Sequence, residues 1–446
     1  MRTDCTTKPI VFSSHGRRQI LGQFDGQRIT SDAGGLLLRE VDRHLGLIDA
    51  LDHCILDPRD PELITHRQRS LLAQRIYSIA LGYDDLNDHQ TLRNDPLLQI
   101  LCQDRLSVDQ PLASAPTLCR LENRVDRAAL VKISQVLVET FIASHKQPPA
   151  KLMLDFDATH DPVHGNQVGR SFRSFYDCWC FLPLYVFCGD QLLVAYLRPG
   201  NCDGAKHAGA ILALLVKRLR QAWPKVQIVL RGDSGFCRPK LLSWCEKHGV
   251  FYVLGLQINP VLKRIVQPVQ RQAQQQFQRT HQKQRWFSEF YYAARTWKRK
   301  RRVILRHEHS VEGPNPRFIV TNLPGPMQQL YEHHYCGRGE CENRIKEQQL
   351  GLFADRTSCH DFAANQFRLL LSAAAYVLLD HLRRLGLTGS ELAKAQVPTI
   401  RSRLLKIGAR LVISVRRVVL HLAAACPLQE LFAHLARRLQ RLAASG

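Results

Sequence analysis

Between residues 151 and 256 the chain alternates apolar, strand-like runs with amphipathic helical ones, and this alternation limits the folds open to it. LMLDFDAT (152–159), FLPLYVFCG (181–189) and QLLVAYLRPG (191–200) predict three successive strands. GAKHAGAILALLVKRLRQAW (204–223) predicts a helix, QIVLRGD (227–233) a strand, PKLLSWCEKHG (239–249) a helix and VFYVLGL (250–256) a fifth strand. Strands joined through helices are parallel neighbours, so the segment reads as an α/β core. Residues 1–150 read as mostly helical, with Thr30 or Ser31 as a cap for the first helix and Gly82 closing RQRSLLAQRIYSIALG (67–82). Arg67, Arg69 and Arg75 fit either a helical DNA-binding module or a solvated face. The paired prolines of KQPPAK (146–151) mark the linker to the core.

Acids sit where this pattern turns. Asp155 and Asp157 alternate along the first strand and share a face, with Asp161 shortly after. Asp233 follows the fourth strand. Glu342 lies in YCGRGECENRIKEQQLG (335–351), where Arg338, Glu342 and Lys346 are spaced at i, i+4 and i+8 and Gln349 at i+11, near one helical face. Three strands, helix, strand, helix, strand, with an acid on the first strand and another after the fourth, matches an RNase H-like order. Two strand aspartates and a helical glutamate suit two divalent cations roughly 3.5–4 Å apart, the arrangement used for phosphodiester chemistry. Carboxylates favour Mg²⁺, with Mn²⁺ as the alternative. Singly, Asp233 could be a turn former in GDSG and Glu342 a surface partner of Lys346. Three such acids in this order on this fold are harder to dismiss. His160 and His164 read as hydrogen-bonding partners more readily than as ligands.

Charge points the same way. Lys+Arg total 62 against Asp+Glu 39, giving a net charge of +23 and a pI near 9.8, while 45% hydrophobic residues suffice for a large core. Such a surplus on a folded chain implies a polyanionic partner. MRTDCTTKPIVFSS has no apolar stretch of the kind a leader carries, and LLLSAAAYVLL (369–379) is too short to span a bilayer. The expectation is a cytoplasmic nucleic-acid binder with no membrane partner. The 14 cysteines form no CxxC pair, so free thiols are expected over zinc. Residues 260–302 carry 12 Lys/Arg against one acid, Glu289, interleaved with Phe290, Tyr291, Tyr292 and Trp297. A basic ribbon through Trp297, Lys298, Arg299, Lys300, Arg301 and Arg302 can grip phosphates and stack on bases. The plainer reading is a solvated charge run with Trp297 in the core of its own strands.

Tyr335, Arg338 and Glu342 follow a Y-(2)-R-(3)-E spacing, and here the chain resembles the cut-and-paste DDE transposases of bacterial insertion sequences, specifically the IS thirteen-eighty group. LDFDATHDPVHGNQ, LRPGNCDGAKHAG, LRGDSGF, NPRFIVTNL, ENRIKEQQLGLFADRTS and NQFRLLLSAAAYVLLDHLRR carry the resemblance from about residue 28 to 440. It implies an RNase H-like core interrupted by a β-rich insertion. The regions become a helical DNA-binding part (1–150), the first part of the core (151–256), a basic β-rich insertion (257–325), the second part with the Glu helix (326–386) and a basic C-terminal region (387–446). Asp157 is favoured over Asp155 because Asp-x-Thr matches the family's first catalytic acid. Asp157, Asp233 and Glu342 become the catalytic, metal-holding residues, with Tyr335, Arg338 and Lys346 against the DNA. The wider signature ends E-(6)-K, but Gln349 stands there, so Lys346 is expected to take over the phosphate contact. The implied activity is hydrolysis at terminal inverted repeats followed by strand transfer into target DNA, by a homodimer on double-stranded DNA in the bacterial cytoplasm, at the nucleoid. A repressor that has lost catalysis and a nuclease that cuts without joining are the other readings, and the three intact acids oppose the first.

Overall fold

The computed structural model describes residues 9–103 and 110–444; the leader reading rests partly on residues 1–8, outside the described residues. At its centre lies an eight-stranded mixed sheet. Its strands, in chain order, are β1 (Lys151–Ala158), β2 (Leu184–Cys188), β3 (Gln191–Tyr196), β4 (Gln227–Gly232), β5 (Phe251–Leu256), β6 (Gln284–Tyr292), β7 (Arg301–Ser310) and β8 (Gly313–Thr321). Across the sheet they run β6-β7-β8-β5-β4-β1-β2-β3. β4 pairs parallel with both β1 and β5, as expected for strands joined through the helices Ala208–Ala222 (α1) and Pro239–Lys247 (α2). The remaining pairs are antiparallel. Leu154, Phe156, Ile228, Leu230, Tyr252 and Leu254 line the core beneath these strands.

Two features of 257–325 differ from the β-rich insertion expected there. Its glutamine-rich opening is a 21-residue helix, α3 (Pro260–Thr280), started by Asn259, whose side chain accepts from the Val261 and Leu262 amides. Leu262, Val266 and Ala273 bury its inner face. The following strands join the core sheet, because β8 hydrogen-bonds along β5 from Val253↔Thr321 to Leu256↔Phe318.

The N-terminal helices share a core with the C-terminal half of the chain. Helix Gln68–Leu81 is buried almost all round and ends at Gly82, at φ 103°. Leu71, Leu72 and Ile76 belong to the same cluster as Phe367, Leu370 and Tyr376 of the helix Phe362–His381. Arg75, 1% exposed, pairs with buried Glu122 at 2.8 Å and so belongs to neither a DNA-binding nor a solvated face. Thr30 caps no helix: it pairs with Ala409 in a small sheet, and the first helix starts at Gly35. An exposed hairpin, Ile10–His15 with Arg18–Gly22, precedes it, so the region is less purely helical than its pattern predicts. The helical stretch Phe362–Leu387 is long and apolar enough to cross a membrane, beyond what LLLSAAAYVLL alone suggests. Its most apolar window is 83% buried, which marks it as a core helix.

Candidate active site

β1 and β4 end side by side, and their register places two acids together. Arg231 is opposite Asp155 and Gly232 opposite Phe156, so the next step sets Asp233 beside Asp157. Asp233 turns the chain as well: its Oδ1 accepts from the Gly235 amide at 2.9 Å, capping a short turn. The turn-forming role is therefore real, and it fixes the carboxylate at the strand end.

Glu342 comes from a helical stretch that changes pitch repeatedly: π over Leu330–Tyr335, 3-10 over Cys336–Arg338, α over Gly339–Lys346 (α4) and π again over Glu347–Gly351. π turns within helices recur at functional sites. Arg338 Nη1 lies 2.6 Å from Glu342 Oε1 and 3.4 Å from Asp157 Oδ2, so one guanidinium joins the first and third acids. Burial pushes the Asp157 carboxyl up to about 7; Arg338 opposes this, and the nearby charges of Asp233 and Glu342 add to it. All three acids thus share one electrostatic site.

A second arginine holds the helix against the sheet. Arg231 grips Asp155 through both carboxylate oxygens and donates from Nη1 to the His334 carbonyl at 2.6 Å. Asp155 is 2% exposed and engaged in this pair, whereas Asp157 faces Arg338. Two glycines permit the close approach. A Cβ on Gly337 would stand 2.7 Å from Arg231 Nη1, and one on Gly255 would meet both the Ser234 amide nitrogen and the Tyr335 hydroxyl at 2.8 Å. Tyr335 therefore packs over the turn that holds Asp233.

Lys346 is exposed at the end of α4. Gln349 is engaged inside the protein: its Nε2 donates to Asp161 Oδ1 at 2.7 Å and to the His160 carbonyl at 3.2 Å, bracing the loop after β1. Asp161 is fully buried, and burial raises its carboxyl to about 8 despite the Gln349 bond. His160 stacks on Tyr176 with ring centroids 4.0 Å apart, while His164 is exposed.

The basic ribbon divides. Trp297 is 9% exposed and packs edge-on against Tyr292 with the Arg301 guanidinium over its ring, so it is a core residue and no open stacking platform. Arg301 and Arg299 both pair with Glu246, and Arg302 pairs with Glu289. These acids absorb the charge that the sequence assigned to DNA, whereas Lys298 and Lys300 are exposed. Sequence reasoning gave no role to Arg231, although a cation in one apolar strand opposite an anion in its neighbour is a readable signal.

Among the described residues no three His, Cys, Asp or Glu side chains close on a single metal position. The donor chemistry of Asp157, Asp233 and Glu342 nevertheless suits a hard divalent cation. No curated protein matches the sequence. Among solved structures, a piggyBac transposase synaptic complex with hairpin DNA is similar at 12% identity and a TM-score of 0.43, over 85% of this chain and 81% of that one. Residues 12–444 match the family model for the transposase DDE domain, group 1. The chain belongs to that family and is a transposase.

Proposed function

We propose that this transposase works by cut-and-paste, with Asp157, Asp233 and Glu342 as its catalytic and metal-holding acids. The observation that carries this is the meeting of the three at one end of the sheet, two on adjacent parallel strands and the third joined to Asp157 through Arg338. The strand order β3-β2-β1-β4-β5 supports an RNase H-like reading of the core, extended by β6 to β8. Transposases of the DDE type use divalent metal ions; bound here, Mg²⁺, or Mn²⁺ in its place, would activate the attacking oxygen and stabilise the leaving one.

The chain's own residues prepare that chemistry. Asp157 and Asp233 present carboxylates from rigid strand ends. Arg338, once released from either acid, can grip the scissile phosphate through its planar guanidinium. Lys346 adds a cation for the flanking backbone. Double-stranded DNA, as terminal inverted repeats and target, is the proposed substrate, with a homodimer bringing two ends together. The LRGDSGF and ENRIKEQQLGLFADRTS segments support an insertion-sequence transposase of the IS thirteen-eighty group, and bacterial cytoplasm is the proposed place of action.

The test replaces each acid separately by alanine. Cleavage of end DNA should fall by orders of magnitude while gel-shift affinity holds or rises slightly, since each change removes negative charge near phosphate. Cleavage at the wild-type rate by any of the three variants would overturn the assignment. Cleavage without strand transfer in the wild type would support a non-joining nuclease instead.

A further inference from the structure

The cations of the C-terminal region are held differently from those around Trp297. Residues 401–446 carry nine Lys/Arg against one acid, Glu430. Three of the nine are used inside the fold: Arg401 donates to the Ala80 carbonyl at 2.9 Å, Arg403 pairs with Glu391 at 3.1 Å, and Lys406 pairs with Asp32 at 2.6 Å. Arg410, Arg416, Arg417, Arg437, Arg438 and Arg441 are exposed and make no ion pair among the described residues. The first three stand on a two-stranded antiparallel ribbon, Ala409–Ile413 with Val418–Leu422. Its base is anchored. Ala409 and Arg410 pair with Thr30 and Ile29, and Leu420 packs with Phe432 of the helix Gln429–Ala444 on the cluster of Ala33, Ile407 and Ala409. From Val412 to Val419 no third strand covers the ribbon among the described residues. Its turn is braced by Ser414, whose amide and hydroxyl donate to the Arg417 carbonyl at 2.8 and 3.1 Å.

Strand alternation sorts the ribbon into two faces. Leu411 and Leu420 turn towards the protein. On the outer face Arg410 stands opposite His421, Val412 opposite Val419 and Ser414 opposite Arg417. Val412 and Val419 are 40% and 41% exposed, and Val415 and Arg416 project into water at the tip. We propose that this ribbon enters the major groove of duplex DNA, as a binding element separate from the three acids. The inference rests on duplex DNA being the substrate, as proposed above, and names the element that reads it. The major groove is about 12 Å wide and admits a two-stranded ribbon, whereas the minor groove is about half that width. An apolar pair framed by arginines suits its floor, where thymine methyls and the acceptor edges of guanine lie, and Arg416 at the tip suits phosphate. Exposed His434, Arg437 and Arg441, at i, i+3 and i+7 on the adjoining helix, supply cations for the flanking backbone. A second copy fits this face poorly, because a two-fold contact would set the same unpaired arginines against their own images.

The probe is duplex DNA from the flanks of the gene, where the element's ends lie, in two forms. One is plain; in the other every cytosine is replaced by glucosylated 5-hydroxymethylcytosine, whose sugars fill the major groove. Gel shifts of the full chain without divalent metal keep binding independent of cleavage. The wild type should bind the plain form about tenfold tighter than the filled one, within the usual cost of losing a groove contact. Arg416→Ala with Arg417→Ala, and separately Val412→Glu, should bind the plain form about tenfold more weakly than the wild type and treat the two forms alike. Lys298→Ala with Lys300→Ala should weaken both forms and keep the discrimination, since phosphate contacts carry no groove information. A wild type that binds both forms equally overturns the proposal, as do ribbon variants that keep the discrimination. If Val412→Glu splits a DNA-free dimer and leaves plain-duplex affinity unchanged, a second copy covers the face and the proposal fails. A wild type that binds neither form overturns the substrate reading along with the ribbon, whereas the other outcomes strike the ribbon alone.

Discussion

Arg338 stands one helical turn before Glu342 and holds its carboxylate at 2.6 Å, while the same nitrogen reaches across to Asp157. This guanidinium supplies a positive charge between the two acids. Removing it should leave carboxylates facing each other in a partly buried site. Arg338→Gln should lower stability in EDTA by about 1–3 kcal/mol, the usual penalty for stranding a buried polar partner. Added Mg²⁺ should then raise the melting temperature of the variant more than that of the wild type. An equal Mg²⁺ response in both proteins would separate Arg338 from the metal site.

Asp155 and Asp157 alternate on the same strand and should fail in opposite ways. Asp155→Ala strands Arg231 in a largely buried position, which typically costs about 3–5 kcal/mol. It also frees the His334 carbonyl contact that seats the Glu helix. Urea unfolding should show this loss. Asp157→Ala, which relieves a desolvated carboxylate, should leave stability equal or higher while removing cleavage. The reverse pattern would exchange the two assignments.

Trp297 separates core from platform just as cleanly. With the indole nine-tenths buried against Tyr292 and Arg301, Trp297→Ala should destabilise by about 3–5 kcal/mol, the range for deleting a large buried ring. Denaturant midpoints would show it. A variant of wild-type stability that nicks DNA but stalls in later end processing would return the residue to the DNA.

How far the sequence could be read depended on how strongly each segment's pattern spoke. β1, β4 and β5 are apolar enough to be found by eye, and the Asp at each of two strand ends came with them. The helix α3 hid because Pro268 stands inside it and its second half is dominated by glutamines, with only Ala273 and Phe277 as apolar marks there. Trp297 stays open to both readings in the sequence because a buried indole and an exposed one look alike inside ARTWKRKRR; the acids that neutralise its neighbours, Glu246 and Glu289, act through tertiary contacts. The strands of the 161–181 sheet span two to four residues each, too short for alternation to register, so the stack of Tyr176 on His160 is not legible in the sequence. Gln349 looked like a departure from a phosphate-binding lysine, and only the fold reveals it bonding Asp161.

The +23 charge carries a prediction of its own. Log affinity for non-cognate duplex should fall with log salt at about −0.9 per phosphate neutralised, and a protein making roughly six to ten contacts loses several orders of magnitude between low and moderate salt. Because Arg299, Arg301 and Arg302 are already paired with acids, changing them should leave this slope nearly intact. Lys298→Ala with Lys300→Ala should flatten it by up to about two phosphate equivalents. A slope that drops only when the paired arginines are changed would mean the ion pairs open on DNA.

Asp161 ties pH to the loop after β1. Its carboxyl is raised by burial to about 8, well above an unfolded aspartate, so the folded chain holds a proton there that the unfolded chain releases. The folded state binds more protons between these two values, so this residue's contribution is fully present below about pH 4 and is lost as pH rises through about 8. Asp161→Asn keeps an oxygen for the Gln349 amide and removes the titration. The stability difference between wild type and variant should therefore shift against the wild type by about two to three orders of magnitude in the unfolding constant from pH 5 to pH 8, as read by urea melts across that range. Parallel pH profiles for the two proteins would mean that Asp161 is ionised in the fold and that Gln349 braces a charged carboxylate.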